Sequence, residues 1–381
     1  MNIAFIPIDN RPVCYTLPEQ VCAINSSINL FMPERKYLGS LTKYADVDKI
    51  FEWLEKIPQV DAIVMCLDTV AYGGLISSRR CPDTFDEIKN RVENLKSILE
   101  KKNAKIYAFS SIMRISNNNV NEEEKEYWDK WGKKIFDYSY QTHKLGTESC
   151  ISNIIPSEIL DDYLATRKRN FEINKLYLEY QKQGLFDTLV FSKDDCAEYG
   201  FNVQEAQVLE KLGGFIKTGA DEIPLTLLAR AVVKFFDTKM QGCKDAKSFT
   251  EPVAQSRHCE CERSNPVKLN TVITRSDERR SNPIQFNNDE NACNVNSKAV
   301  GQNYYPDNKN FLKLQTIRFL DDWAYQANVR QELNSPDEKL VKEKMKPYEK
   351  MVFGLLGVAY NISYKFTWNR LFEVEICILS N

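Results

Sequence analysis

The chain has 381 residues, with 51 Lys and Arg against 53 Asp and Glu and a formal net charge of −2. At 43% hydrophobic and 27% charged residues it has globular proportions, which exclude wholesale disorder, collagen and coiled coil and leave two domains or one large one. Near-neutral charge removes the positive footprint that nucleic-acid binding needs, and no run of about 18 apolar residues is present to span a membrane.

The opening, Met1-Asn2-Ile3-Ala4-Phe5-Ile6-Pro7-Ile8-Asp9, has no basic n-region and reaches an acid early, so it does not read as a signal peptide. Short apolar runs then alternate with helical patterns. Strands are expected at 3–8, 28–32, 62–67, 105–110, 188–191 and 215–217, and helices at 17–25, 46–57, 84–101, 122–138, 157–183, 203–212 and 225–236. This alternation predicts an α/β fold: a mostly parallel sheet, doubly wound or barrel-like, covered by helices. Right-handed crossovers bring every strand's carboxyl end to one rim, where ligands of such folds bind.

From 241 to 310 the character changes to Asn, Ser, Arg and Lys with no sustained period. An imperfect repeat, Glu262-Arg263-Ser264-Asn265-Pro266-Val267 against Arg279-Arg280-Ser281-Asn282-Pro283-Ile284, has no hydrophobic face to stack, so a disordered or loose segment is expected. The wording from Ser256 to Arg263 resembles translated copies of a dispersed bacterial palindromic DNA element, and the segment reads as an insertion. His258, Cys259 and Cys261 with Cys243 or Cys293 match no common zinc spacing. Order is expected again over 311–381, with helices at 311–333 and 338–351 and a closing strand at 372–379. Three parts result: 1–240 carrying the site, 241–310, and 311–381. The eleven cysteines are scattered, and Cys14, Cys22, Cys66 and Cys377 sit in apolar runs, which points to free thiols in a reducing, cytoplasmic setting.

Four strand runs end in carboxylates: Asp9, Asp68, the pair Asp194–Asp195, and Asp221 with Glu222. Like charges gathered in one cleft raise some pKa values, which yields one carboxylic acid and one carboxylate at neutral pH, or a seat for a divalent cation. The competing reading of each is a helix N-cap. Neighbours in a strand point to opposite faces, so one member of Asp194–Asp195 faces the site while the other orients it. Tyr72-Gly73-Gly74 beside Asp68 allows close backbone approach to a ligand, or is a tight strand-to-helix turn. Arg11, Arg79 and Arg114 offer planar forks for a carboxylate, phosphate or hydroxyls, or neutralise the acids. On the 157–183 helix, Arg167 and Asn174 fall in the middle of the face formed by Leu160, Leu164, Phe171 and Leu178, with Asn170 at its edge. Buried polar groups without partners cost several kcal/mol, so this face covers a ligand site or an internal ion pair. His143 reads as part of a loop, Gln141 to Gly146. Without a second plausible histidine a His-based triad has weak support, Cys196 beside Asp195 has no evident base, and Trp128 and Trp131 read as core. Neither a phosphate loop nor a dinucleotide fingerprint is present in context.

Pro7-Ile8-Asp9-Asn10-Arg11-Pro12, the stretches from Asp68 to Arg79, Phe109 to Arg114, Arg167 to Asn174 and Asp194 to Gly200, and Gly219-Ala220-Asp221-Glu222 occur in that order. Two tail motifs follow, Arg318-Phe319-Leu320-Asp321-Asp322-Trp323-Ala324-Tyr325-Gln326 and Trp368-Asn369-Arg370-Leu371-Phe372-Glu373-Val374. Together they resemble a bacterial family of unknown function, domain of unknown function 4127 (DUF4127), over about 1–236 and 311–377. The resemblance implies a bacterial cytoplasmic protein and no particular activity. Members of that family are longer, with a further α/β portion and a Trp-Asn-Thr-containing Gly-rich motif before the tail. The inserted-looking segment stands there instead, so a disrupted or shortened member is expected.

The residues point first to a hydrolase of a glycoside or similar polar metabolite. Asp194 and Asp195 take the acid–base roles, and Asp68 and Glu222 stabilise developing positive charge or bind hydroxyls. Asp9, Arg11, Tyr72, Gly73, Gly74, Arg79, Arg114, Arg167, Asn170, Asn174 and Asp221 are candidates for substrate binding. The alternatives are a divalent-metal-dependent phosphoryl-transfer or metabolite-binding protein, and a degenerate, non-catalytic family member. A small-molecule substrate is expected, with no nucleic acid, membrane or cofactor beyond the divalent cation of the second reading; the oligomeric state stays open.

Overall fold

Apolar runs bounded by turn residues become six strands: β1 (Asn2–Ile6), β2 (Asn29–Phe31), β3 (Ala62–Cys66), β4 (Lys105–Ser111), β5 (Thr188–Lys193) and β6 (Ile216–Thr218). All pair in parallel, in the order β2-β1-β3-β4-β5-β6. The sheet is open and doubly wound, which decides against a barrel. The computed structural model describes residues 1–194, 197–246 and 308–379, over 239–246 and 308 by backbone alone. Asp195, Cys196 and the segment 247–307, with His258, Cys259, Cys261 and Cys293, lie outside the described residues, as does the Cys243 side chain. The reading of 241–310 as a loose insertion therefore falls almost wholly outside them.

The strands read as unbroken apolar runs because both faces are covered. Alternate residues point to opposite sides. Ala4, Ile6, Ile63, Met65, Ala108 and Phe191 face one core, with α2 (Val47–Lys56), α5 (Phe85–Glu100), α7 (Ser157–Lys182) and α8 (Phe201–Lys211). Ile3, Phe5, Val64, Cys66, Phe109 and Val190 face the other, with α1 (Thr16–Cys22) and α9 (Glu222–Ala246). Caps set the starts: Asp46 accepts from the Lys49 N–H, and Thr84 with Glu87 forms a capping box before α5.

Local departures from expectation have identifiable causes. β3 runs without a loop into α3 (Leu67–Tyr72), so Asp68 lies inside a helix rather than capping one. Gly73, at φ +87°, ends α3 in the left-handed conformation that a side chain would strain. A short α4 (Ser77–Arg80) follows. The helix expected from 122 begins instead at Trp128, as α6 (Trp128–Leu145), because Glu123 and Glu124 are drawn onto arginines. At its other end α6 continues through His143, correcting the loop expected there. Its buried spacing of Gly132, Ile135 and Ser139 carries on until Gly146 stops it at φ +70°.

The tail forms α10 (Asn308–Arg318), a π-helical stretch Phe319–Gln326, a 3-10 turn Val329–Glu332, α11 (Glu338–Leu356) and an antiparallel hairpin of β7 (Asn361–Phe366) and β8 (Val374–Leu379). A single closing strand was expected; β7 is its local partner, with Ile362 opposite Ile378 and Tyr364 opposite Ile376. These residues join Leu320, Tyr325, Val341 and Met345 in a core of their own. Among the described residues, no helix is long and apolar enough to cross a membrane. Ile63→Ala in the central strand should lower unfolding free energy by about 2–5 kcal/mol, and Thr84→Ala at an exposed cap by about 1 kcal/mol, measured by chemical denaturation.

Candidate functional site

Parallel pairing puts all six carboxyl ends on one rim. The chain runs from β1 out to β2 and back across to β3, so the β1–β3 crevice is a topological switch point, where such sheets bind ligands. Two strand ends and the tail meet around one arginine. Arg11, five residues past β1 and 7% exposed, donates Nε to Asp9 Oδ2 at 2.8 Å. Its Nη1 and Nη2 fork onto Asp221 beyond β6, at 2.8 and 2.6 Å. Its guanidinium lies 5.3 Å from the centre of the Trp368 ring, and the Trp368 indole N–H donates to Asn10 Oδ1 at 2.8 Å. Burial pushes the Asp9 carboxyl up and Asp221 adds to this, against the pull of Arg11. Burial opposes the Arg11 charge, but the Asp9 and Asp221 carboxylates outweigh it and hold the guanidinium ionised.

Two cavities share Arg11, Asp221 and Phe372. One, of about 290 Å³, is closed by Arg114, Glu123, Asp194, Glu222 and Trp368. The other, of about 310 Å³, is bounded by Gln20, Arg318, Asp321, Gln326 and Glu373. In it, burial lifts Glu373 to about 7, although Arg11 and the Val13 N–H favour its charged form. Burial likewise lifts Asp321 to about 6, against Arg318. The π-helical turn places Asp321 and Gln326 on this wall, and such widened turns recur at functional sites. Trp368 and Asn369 both stand at φ 54°, a left-handed strain that Asn10 and Arg11 help hold in place at the wall of the 290 Å³ cavity.

The expected residues divide. Arg11, Arg114, Asp194, Asp221 and Glu222 line the 290 Å³ cavity. Asp194 is 39% exposed with Arg114 Nη1 at 3.8 Å, and Glu222 opens α9. Asp195 lies outside the described residues. Asp9 faces Arg11 below the surface. Asp68 is fully buried beneath the rim: its Oδ2 accepts from the Ser111 N–H at 2.9 Å, and its Oδ1 lies 3.1 Å from Ser110 Oγ. Ser110 Oγ is also 2.7 Å from Asn174 Oδ1, and Asn174 Nδ2 donates to Ser111 O. One hydroxyl proton cannot serve both acceptors, so the set closes when Asp68 carries a proton. Burial raises Asp68 to about 6, despite hydrogen bonds from Ser111 and Ser110.

The α7 face resolves into internal partners. Arg167 pairs with Glu205 at 2.7 Å and donates to Met113 O and Tyr163 Oη; Asn170 donates to Ser78 O. Tyr72 and Gly73 line a separate cavity of about 160 Å³ with Tyr44 and Arg91. Gly74 packs on the β1 loop, where a Cβ would lie 3.3 Å from Ile8 O. Arg79 is buried against Glu124 at 2.7 Å. His143 Nδ1 accepts from the Gly200 N–H at 3.0 Å. Sequence reasoning gave no role to Glu123, Asp321, Trp368, Phe372 or Glu373. Four of these belong to the two tail motifs, which were the available signal.

Among the described residues, no group of three or more His, Cys, Asp or Glu is placed to hold a metal ion. A family model described as "Protein of unknown function (DUF4127)" matches residues 3–249. No curated protein and no solved structure matches the chain.

Removing Arg11 strands two carboxylates, so Arg11→Met should destabilise the fold by about 3–5 kcal/mol in denaturant titration, with Arg11→Lys intermediate. Asp68, raised from 3.8 to about 6, stabilises the fold when neutral; that contribution is full below 3.8 and is lost as pH rises through about 6. Asp68→Asn reproduces the protonated pattern. It should unfold at the same or a higher denaturant concentration than the parent at pH 7.5, with a smaller loss of stability between acid and neutral pH. Asp68→Ala should be less stable at both.

Proposed function

The chain belongs to the DUF4127 family, and from that premise we propose that it is a carboxylate-dependent hydrolase of a glycoside or a similarly polar small metabolite, working at the carboxyl rim of the sheet. The observation that supports this is the 290 Å³ cavity, where carboxylates from the ends of β5 and β6 face an aromatic wall of Trp368 and Phe372. A pyranose ring presents a C–H face to aromatic rings and hydroxyls to carboxylates and guanidinium groups, and this cavity offers both.

Asp194 and its sequence neighbour Asp195 take the acid–base work. One protonates the departing glycosidic oxygen; the other removes a proton from the water that attacks the anomeric carbon. Glu222 stabilises positive charge developing on the ring. Asp221, clamped by Arg11, presents its remaining lone pairs to substrate hydroxyls, and Arg114 binds beside it. Glu373, held near neutrality in its protonation, is a further proton-carrying group at the same rim. Asp68, Arg167, Asn170 and Asn174 act from beneath by fixing the loops that carry these groups. A bacterial, cytoplasmic setting is part of this reading, supported by free thiols at Cys14, Cys22, Cys66 and Cys81.

A panel of nitrophenyl glycosides tests the proposal. With the substrate that turns over, Asp194→Asn or Asp195→Asn should lower kcat by about 10²–10⁴-fold, while Asp68→Asn stays within a few-fold of the parent. Parental kcat in both Asp194→Asn and Asp195→Asn would remove the assignment.

A further inference from the structure

We propose that the ligand of the 290 Å³ cavity carries a carboxylate, bound through the free edge of Arg79; this rests on reading that cavity as the substrate site. Arg79 is 3% exposed and belongs to α4. Its Nη1 donates to Glu124 at 2.7 Å. Its Nε and Nη2 have no hydrogen-bond partner among the described residues. These two nitrogens form the side-on edge of the guanidinium, and one carboxylate oxygen placed against that edge can accept from both. The nearest acid on that side, Glu123, has Oε2 3.6 Å from Nη2, beyond hydrogen-bond length. A buried side chain thus keeps two donors without a hydrogen bond, which is costly unless an acceptor arrives.

The space beside Arg79 says where that acceptor comes from. A recess of about 10 Å³, room for roughly one oxygen atom, is lined by Arg79, Ser111, Ser192 and Arg114. It shares Leu75, Arg114, Asp194 and Ala220 with the 290 Å³ cavity, so a ligand there can place an oxygen in it. Ser192, whose hydroxyl donates to Ser111 Oγ at 3.2 Å, makes the rest of this recess polar. The wall already holds one carboxylate among arginines: Glu123 lines the cavity with Arg114 at 2.7 Å, Arg370 at 2.8 Å and Arg79 at 3.6 Å. Burial raises Glu123, but Arg114, Arg370 and Arg79 outweigh it and hold the group ionised. Glu123 therefore marks the charge these arginines accept and competes with an incoming acid.

Calorimetric titration of the full chain with hexuronates (glucuronate, galacturonate, mannuronate), the matching neutral hexoses and inorganic phosphate tests this. At least one hexuronate should bind about tenfold or more tightly than its neutral hexose, and Arg79→Lys, which loses the fork, should remove most of that preference. Should the buried Arg79 variant not fold, Glu123→Gln decides: without the competing charge, the preference for hexuronate over the matching neutral sugar should rise several-fold. Equal binding of acid and neutral sugars, no hexuronate binding, or hexuronate affinity indifferent to both substitutions overturns the inference. Phosphate binding as tightly as hexuronate identifies an adventitious ion only, and overturns it as well. Hexuronate binding through Arg79 without turnover of any glycoside would remove the hydrolase reading and leave this one. Turnover of neutral glycosides indifferent to Arg79→Lys would do the reverse.

Discussion

A guanidinium buried between two carboxylates can stay charged only if both keep their places, and Arg11 is in that position. Asp9 comes from the end of the first strand and Asp221 from beyond the sixth, 210 residues away from Arg11 in sequence. The Trp368 ring covers the guanidinium, and the Glu373 carboxylate accepts from the Val13 N–H nearby. Each partner is expensive to remove because the others would be left charged in a low-dielectric surrounding. The arrangement joins β1, β6 and the tail hairpin, and its members line both rim cavities. Further ties run the same way: Glu375 accepts from Thr16 and Arg35, and Arg370 reaches Glu123. The tail is therefore part of the site's wall rather than an appendage.

Depth sorts the acids that end the strands. A residue within or just past a strand is flanked by neighbouring strands and covered by the next helix, so Asp68, one residue into α3, is fully enclosed and bonded to β4. Asp221 lies three residues past β6 and Asp194 directly past the end of β5; both line the cavity wall with partly exposed side chains. Such depth sets chemistry. The enclosed carboxyls are pushed toward the neutral form and act as hydrogen-bonded struts, while the cavity carboxylates stay accessible to a ligand.

The same logic explains what could be read from particular residues. The runs at 62–67 and 105–110 are apolar on both faces, so their strand character and burial were legible to within a residue. The helix expected over 84–101 begins at Phe85, directly behind the Thr84–Glu87 box. The α7 polar face was legible as an anomaly, yet the periodicity that exposed Arg167 carried no word of Glu205, which lies 38 residues further along the chain. The glutamates at 122–124 continue a helical pattern locally. Arginines from α4, the β4 loop and the tail draw two of them away, and no local window contains that competition.

What the sequence determined by itself was the alternation of elements, the parallel sheet and the rim on which the acidic loops would gather, because periodicity and turn chemistry act over a few residues. The family resemblance was also carried by contiguous motifs. Only the tertiary structure decided that the sheet is open, that Asp68 and Arg167 are internal, that Trp368, Phe372 and Glu373 complete the cavities, and that Arg79 keeps a buried donor edge unused. Those outcomes depend on burial depth and on charge pairing between segments hundreds of residues apart, and both are set by three-dimensional packing rather than by neighbours along the chain.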